Sequence, residues 1–204
     1  MRSYFGKKFF FSAATFLFFL TTLSSEIVPL RFRLTEPQDD FKIEFLPAKE
    51  MQEAENLMND DLSVYKTYKI TRDGLEAELR YTLFTDCGGN SSDFFMQYKM
   101  LLLMTLYNIA GYEVPEKSIS SHKPGDVKAE FNGTTGQVIF IRDPCSQYSS
   151  GYKYIMAEFF YKAGQGAVLR TFLFNDTAFL GLKDDGTMAP ASLWLSVYHT
   201  FRFF

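Results

Sequence analysis

Apolar positions change their spacing several times along this chain, and each change marks an element. Ser92–Ala110 (SDFFMQYKMLLLMTLYNIA) repeats every three to four residues and predicts the longest helix. Ser92 or Asp93 caps its first turn, and Gly111 supplies a left-handed stop. One stripe holds Phe94, Tyr98, Leu101, Leu102, Leu106 and Ile109, the spacing of a helix face that packs on a sheet. A second stripe holds Met96, Met100, Leu103, Met104 and Tyr107, with Gln97, Lys99, Thr105 and Asn108 as interruptions. This helix is therefore expected to be covered on two sides.

Shorter patterns flank it. Phe41–Phe45 alternates apolar and polar residues, as a half-buried strand does, and Ile27–Leu34 reads as an edge strand containing Pro29. Pro47 opens an expected charged helix over Ala48–Met58. Val64–Thr71 and Leu75–Phe84 form a hairpin through Arg72–Asp73–Gly74. After the long helix, Tyr112–Gly125 reads as an irregular excursion. Val127–Phe131 and Gln137–Arg142 make a second expected hairpin, and Tyr152–Lys162 with Ala167–Asn175 a third. Ala178–Leu182 is a further strand candidate. Pro190 starts a last helix, Ala191–His199, before Phe201–Phe204. Three helices around about seven mostly antiparallel strands make an α+β domain, an antiparallel sheet covered by helices in an α/β/α sandwich-like arrangement.

Composition adds an address. Arg2, Lys7 and Lys8 precede the apolar run Phe9–Leu20, and small or polar residues follow through Ser25. Residues 1–25 are read as a signal peptide and 26–204 as a single domain, secreted or periplasmic. The rival, a retained anchor, has only Phe9–Leu23 to span a bilayer that needs about 20 residues. Net charge is −3, and removing a leader with three cations and no acid takes it to about −6. There is no Lys/Arg cluster, which argues against nucleic acid as a partner. Hydrophobic residues at 47% are ample for a core.

Candidate chemistry is sparse. Cys87 and Cys145 are the only cysteines, and in an exported chain they are expected to form a disulfide. Closing that long loop would contribute about 4 kcal/mol in the chain-entropy view. His122, in a Ser/Lys/Pro loop, is expected to be solvated, and His199 to pack beside the terminal aromatics. Two histidines without HExxH or CxxC spacing make no ordinary zinc site, so neither metal nor cofactor is expected. Asp39–Asp40, Asp60–Asp61 and Asp184–Asp185 sit where the chain turns, which accounts for them without calcium. Asn90, Asn132 and Asn175 head glycosylation-type triplets that matter only in a eukaryotic host.

The order of elements resembles the PsbP-like domain, a small secreted α/β/α sandwich on an antiparallel sheet. The resemblance rests on FKIEFLP at Phe41–Pro47, the hairpin and long helix after it, and KPGDVKAE at Lys123–Glu130. VLRTFLFNDTAFLGL at Val168–Leu182 and HTFRF at His199–Phe203 complete it. The two cysteines and an insert at Ser146–Gly151 depart from that pattern. The resemblance implies a scaffold or accessory role and no shared catalytic residues. The expected function is a non-enzymatic exported protein that binds a protein partner or small apolar ligand, with the Met96, Met100, Leu103, Met104 and Tyr107 stripe as the face that could carry it. Alternatively, the protein's own terminal helix or the Tyr112–Gly125 stretch covers that stripe. An outer-membrane β-barrel, suggested by the aromatic C-terminus, and a secreted thiol hydrolase are the competing classes.

Overall fold

Two tight turns give the sheet its register. Asp73 and Gly74 both take positive φ, 53° and 79°, the backbone of a two-residue hairpin turn. They join β3 (Lys66–Arg72) to β4 (Leu75–Thr85), with Arg72 opposite Leu75. Residues 163–165, with Gly164 at φ 74°, join β7 (Tyr154–Lys162) to β8 (Gly166–Phe174), with Lys162 opposite Gly166. This computed structural model describes residues 42–55, 64–85, 91–181 and 192–204, with residues 85 and 91–97 described by their backbone only.

The described residues hold two sheets. Seven antiparallel strands run in the order β2-β3-β4-β8-β7-β6-β5, where β2 is Met51–Ala54, β5 Ser120–Ser121 and β6 Thr135–Arg142. A separate pair joins β1 (Ile43–Phe45) to β9 (Phe201–Phe203), so the FKIEF segment and the terminal aromatics are antiparallel partners. The long helix is α1, Ser91–Ala110, and Gly111 ends it at φ 78° as expected. The α+β class with a mostly antiparallel sheet holds.

Three expected elements change identity. The charged helix expected over Ala48–Met58 is not helical in its described part. Met51–Ala54 pairs with β3 as an edge strand instead, and Lys66–Glu53 and Arg72–Glu50 ion pairs at 3.6 and 3.7 Å cross that edge. A free sheet edge outcompeted local helix propensity, which is a weak preference. Val127–Phe131 is no strand either, and it ends α2, Pro124–Phe131. Pro124 opens this helix, Asn132 in the left-handed conformation (φ 54°) closes it, and both apolar residues at i and i+4, Val127 and Phe131, are buried. The second expected hairpin is therefore a helix followed by β6. Ala178 and Phe179 belong to a 3-10 turn, Thr177–Phe179, capped by Asp176 Oδ1, which accepts from the Ala178 N–H at 2.8 Å. The last helix, α3, contracts to Leu193–Ser196 with Ser192 as its cap.

Alternation along the strands divides the core in two. Ala77, Leu79, Tyr81 and Leu83 of β4 join Val168, Phe172 and Phe174 of β8, Phe131 of α2, Leu193 of α3 and Phe201 and Phe203 of β9 in one cluster. Their neighbours in sequence, Phe84, Leu169, Leu173, Ile155 and Phe159, join Tyr98, Leu102, Leu106 and Ile109 of α1 in the other. The leader, the Ile27–Leu34 strand, the loop with Cys87, Asn90 and the three Asp pairs lie outside the described residues.

Candidate functional site

The outer stripe of α1 is the first candidate. Tyr98, Leu102, Leu106 and Ile109 are buried, as the first stripe predicts. Met100 and Tyr107, two turns apart on the other side, are 58% and 55% exposed, while Leu103 and Met104 are half-buried. The side chain of Met96 lies outside the description. The expectation that both sides of α1 are covered gives way here. Leu193 and Val197 of the α3 region belong to the opposite cluster, and the stretch after Gly111 sends Val114 and Ile119 to the buried side of α1. A Lys99–Glu116 ion pair ties α1 to that stretch. Between two exposed side chains such a pair contributes little.

Cys145 is free and exposed, its Sγ donating to Gly111 O at 3.3 Å and its N–H to Ala110 O at 2.8 Å. Its sequence neighbours stand far from those of Cys87. Thr85 pairs with Gly166 at one end of β8, whereas Asp143 bonds Lys153 beside Phe174 at the other. Nine residues of β8 separate the two ends, about 26 Å at strand rise. Two residues of chain reach about 7 Å at most, which leaves a gap beyond the roughly 7 Å that a disulfide tolerates between Cα atoms. This geometry disfavours the expected Cys87–Cys145 bridge within one folded chain.

The second candidate is a buried polar cluster in the middle of the sheet. Glu158 of β7 and Arg170 of β8 are directly opposite each other, and neither side chain has any exposure. Arg170 Nε donates to Glu158 Oε2 at 2.7 Å, and Nη1 donates to Tyr198 O. The guanidinium carbon lies 4.8 to 5.6 Å from the ring centres of Phe131, Phe160, Phe172, Tyr198 and Phe201. Such rings attract a cation through their negative faces. Arg170 Nη2 and Glu158 Oε1 are buried without a hydrogen-bond partner among the described residues.

His122 completes the cluster and corrects the expectation that it is solvated. Its ring stacks on Phe160 at 5.3 Å, its side chain is 20% exposed, and its Nε2 lies 3.7 Å from Glu158 Oε1. That separation is outside hydrogen-bond range, so the two are neighbours and not an ion pair while the imidazole is neutral. Burial pushes the His122 pKa below its ordinary value, with Glu158 the main influence in the other direction. Desolvation likewise pushes the Tyr198 hydroxyl up. His199 is exposed, and its ring neighbours are Phe131 of α2, stacked at 6.0 Å, and Tyr198 at 5.0 Å, in place of the expected terminal aromatics.

Sequence reading passed over Glu158 and Arg170. A signal was present: each is the lone charge in an apolar run, and the two are equidistant from Gly164 at the hairpin turn. Among the described residues, no group of three or more His, Cys, Asp and Glu could hold a metal ion. No helix there is long and apolar enough to cross a membrane. No protein-family model, curated protein or solved structure matches this chain.

Proposed function

We propose that the protein is an exported, non-enzymatic α+β binding or accessory protein that takes a protein partner or a small apolar ligand on the outer stripe of α1. One observation carries this reading: Met100 and Tyr107 stand more than half exposed on a helix whose opposite side is buried. Each large apolar side chain left in water forgoes about 1.5–3 kcal/mol of burial. Methionine adapts its shape to varied surfaces, and tyrosine offers an apolar ring with a polar tip. The leader supports export. The placing of α1 with one core cluster and of α2 and α3 with the other supports the PsbP-like α/β/α arrangement and its accessory role.

The competing classes have less behind them. A barrel wall has one face to lipid and no edges, whereas both faces of this sheet contribute to clusters with helices and the order ends at β2 and β5 among the described residues. A thiol hydrolase needs its cysteine beside a base, and Cys145 donates to a backbone carbonyl instead.

Met100→Asp tests the reading. An exposed site tolerates the charge within about 0.5 kcal/mol, so the variant is expected to keep the wild-type circular dichroism spectrum and urea midpoint while losing the fluorescence enhancement of an anilinonaphthalene dye. Unfolding of Met100→Asp, or wild-type protein that does not bind the dye, would count against the stripe as a binding face.

A further inference from the structure

His122 holds the last strand of the sheet in place with few contacts. Ser120 and Ser121 pair with Val138 and Gln137, the His122 N–H donates to Gly136 O at 2.9 Å, and the imidazole lies on Phe160. The ring is thus both the anchor of β5 on β6 and a neighbour of the buried carboxylate. We propose that His122 is an acid-sensitive latch: neutral, it seats β5 against the sheet edge, and protonated, it leaves Phe160 and carries Ile119–Lys123 off β6.

The argument is one of charge in a dry place. Glu158 from β7 faces the ring with its unpartnered Oε1 at 3.7 Å, while Arg170 from β8 holds the other carboxylate oxygen, Oε2, at 2.7 Å. Asp126 and Glu130 of α2 favour an imidazolium, and Arg170 opposes it. The loss of water around Nε2 outweighs these, so the seated ring prefers to be neutral. A released His122 regains water and its ordinary pKa of about 6.5. The seated state then binds fewer protons than the released one, and falling pH favours release. The latch is fully closed above about pH 6.5 and weakens as pH drops through that value toward the lower, seated-state pKa. Release would uncover the side of the Phe160 ring on which His122 stacks, together with Glu158 Oε1 beside it, and leave the β6 edge unpaired.

Amide hydrogen exchange on the full chain, corrected for intrinsic rates, reads the latch directly. Between pH 7.5 and 5.0, protection at Ser120–His122 is expected to fall severalfold relative to β7 and β8. His122→Phe keeps a ring for Phe160 to stack on and cannot titrate, so its protection should not change with pH. If that variant does not fold, His122→Gln serves the same purpose. Wild-type protection that holds or rises at pH 5.0, or a nontitrating variant that loses it in parallel, would overturn the proposal.

Discussion

Arg170 and Glu158 sit where the energetics of single residues are steepest. Two ions without exposure lose their hydration, and the pair recovers it only through good geometry and further bonds. Here one Nε–Oε2 contact at 2.7 Å, the Tyr198 carbonyl and five rings supply that recovery, while Oε1 and Nη2 stay unsatisfied among the described residues. Truncating one partner should therefore hurt more than removing both. Arg170→Met is expected to lower stability by about 3–5 kcal/mol because Glu158 is left as an unpaired buried charge, and Glu158→Leu combined with Arg170→Met should recover most of it. Urea unfolding of both single variants and the double settles this, since a double variant no better than the singles would mean that the cluster stabilises through more than charge balance. What was illegible in the sequence was depth. Glu158 and Arg170 each break an apolar run as a surface charge on an edge strand would. Only the strand order, with β7 and β8 inside a seven-stranded sheet, puts them out of solvent.

At the scale of elements, the long helix was legible because its period and its Gly111 stop agree. Hairpins with a glycine turn were legible for the same reason, as at Asp73–Gly74. The edge strand β2 and helix α2 were not. Met51–Ala54 is four residues whose strand state comes from pairing with β3, and KPGDVKAEF reads with period two or period four until its caps are weighed. Buried arginine also works at this scale: Arg80 of β4 donates to Glu78 at 2.5 Å, to Tyr148 O and to Ser150 Oγ at 2.7 Å. It thereby pins the Ser146–Gly151 segment to the sheet. The stop of α1 is equally tied to that segment. A Cβ on Gly111 would meet Cys145 Sγ and Ser146 N at 2.7 Å, on a residue already at φ 78°. Gly111→Ala combines a left-handed backbone with a clash against main chain, and is expected to cost about 1–3 kcal/mol or more. A melting temperature within a degree of wild type would show that the α1–Cys145 junction can shift freely.

Across the molecule, the sheet sets where the two cysteines can meet. Loop position and an exported address make a bridge reasonable in sequence, where distance along a sheet is not visible. In the fold, β4 ends with Thr85 at the Gly166 end of β8, and β6 ends with Arg142, paired to Tyr154, at the Phe174 end. The two-residue tethers from Thr85 and Asp143 together cover about 14 Å, short of the roughly 26 Å along β8, before the width of the intervening strands is added. A bridge within one chain would require the ends of β4 or β6 to peel away, giving up pairs such as Phe84–Ala167 and Arg142–Tyr154. The thiol of Cys145 is exposed, so a bond to a second chain meets no such obstacle. The purified, folded protein is accordingly expected to titrate two thiols per chain under denaturing, non-reducing conditions, or to run as a Cys145-linked dimer that Cys145→Ser abolishes. A monomer with no titratable thiol would restore the bridge and require a different path for the chain between β4 and α1.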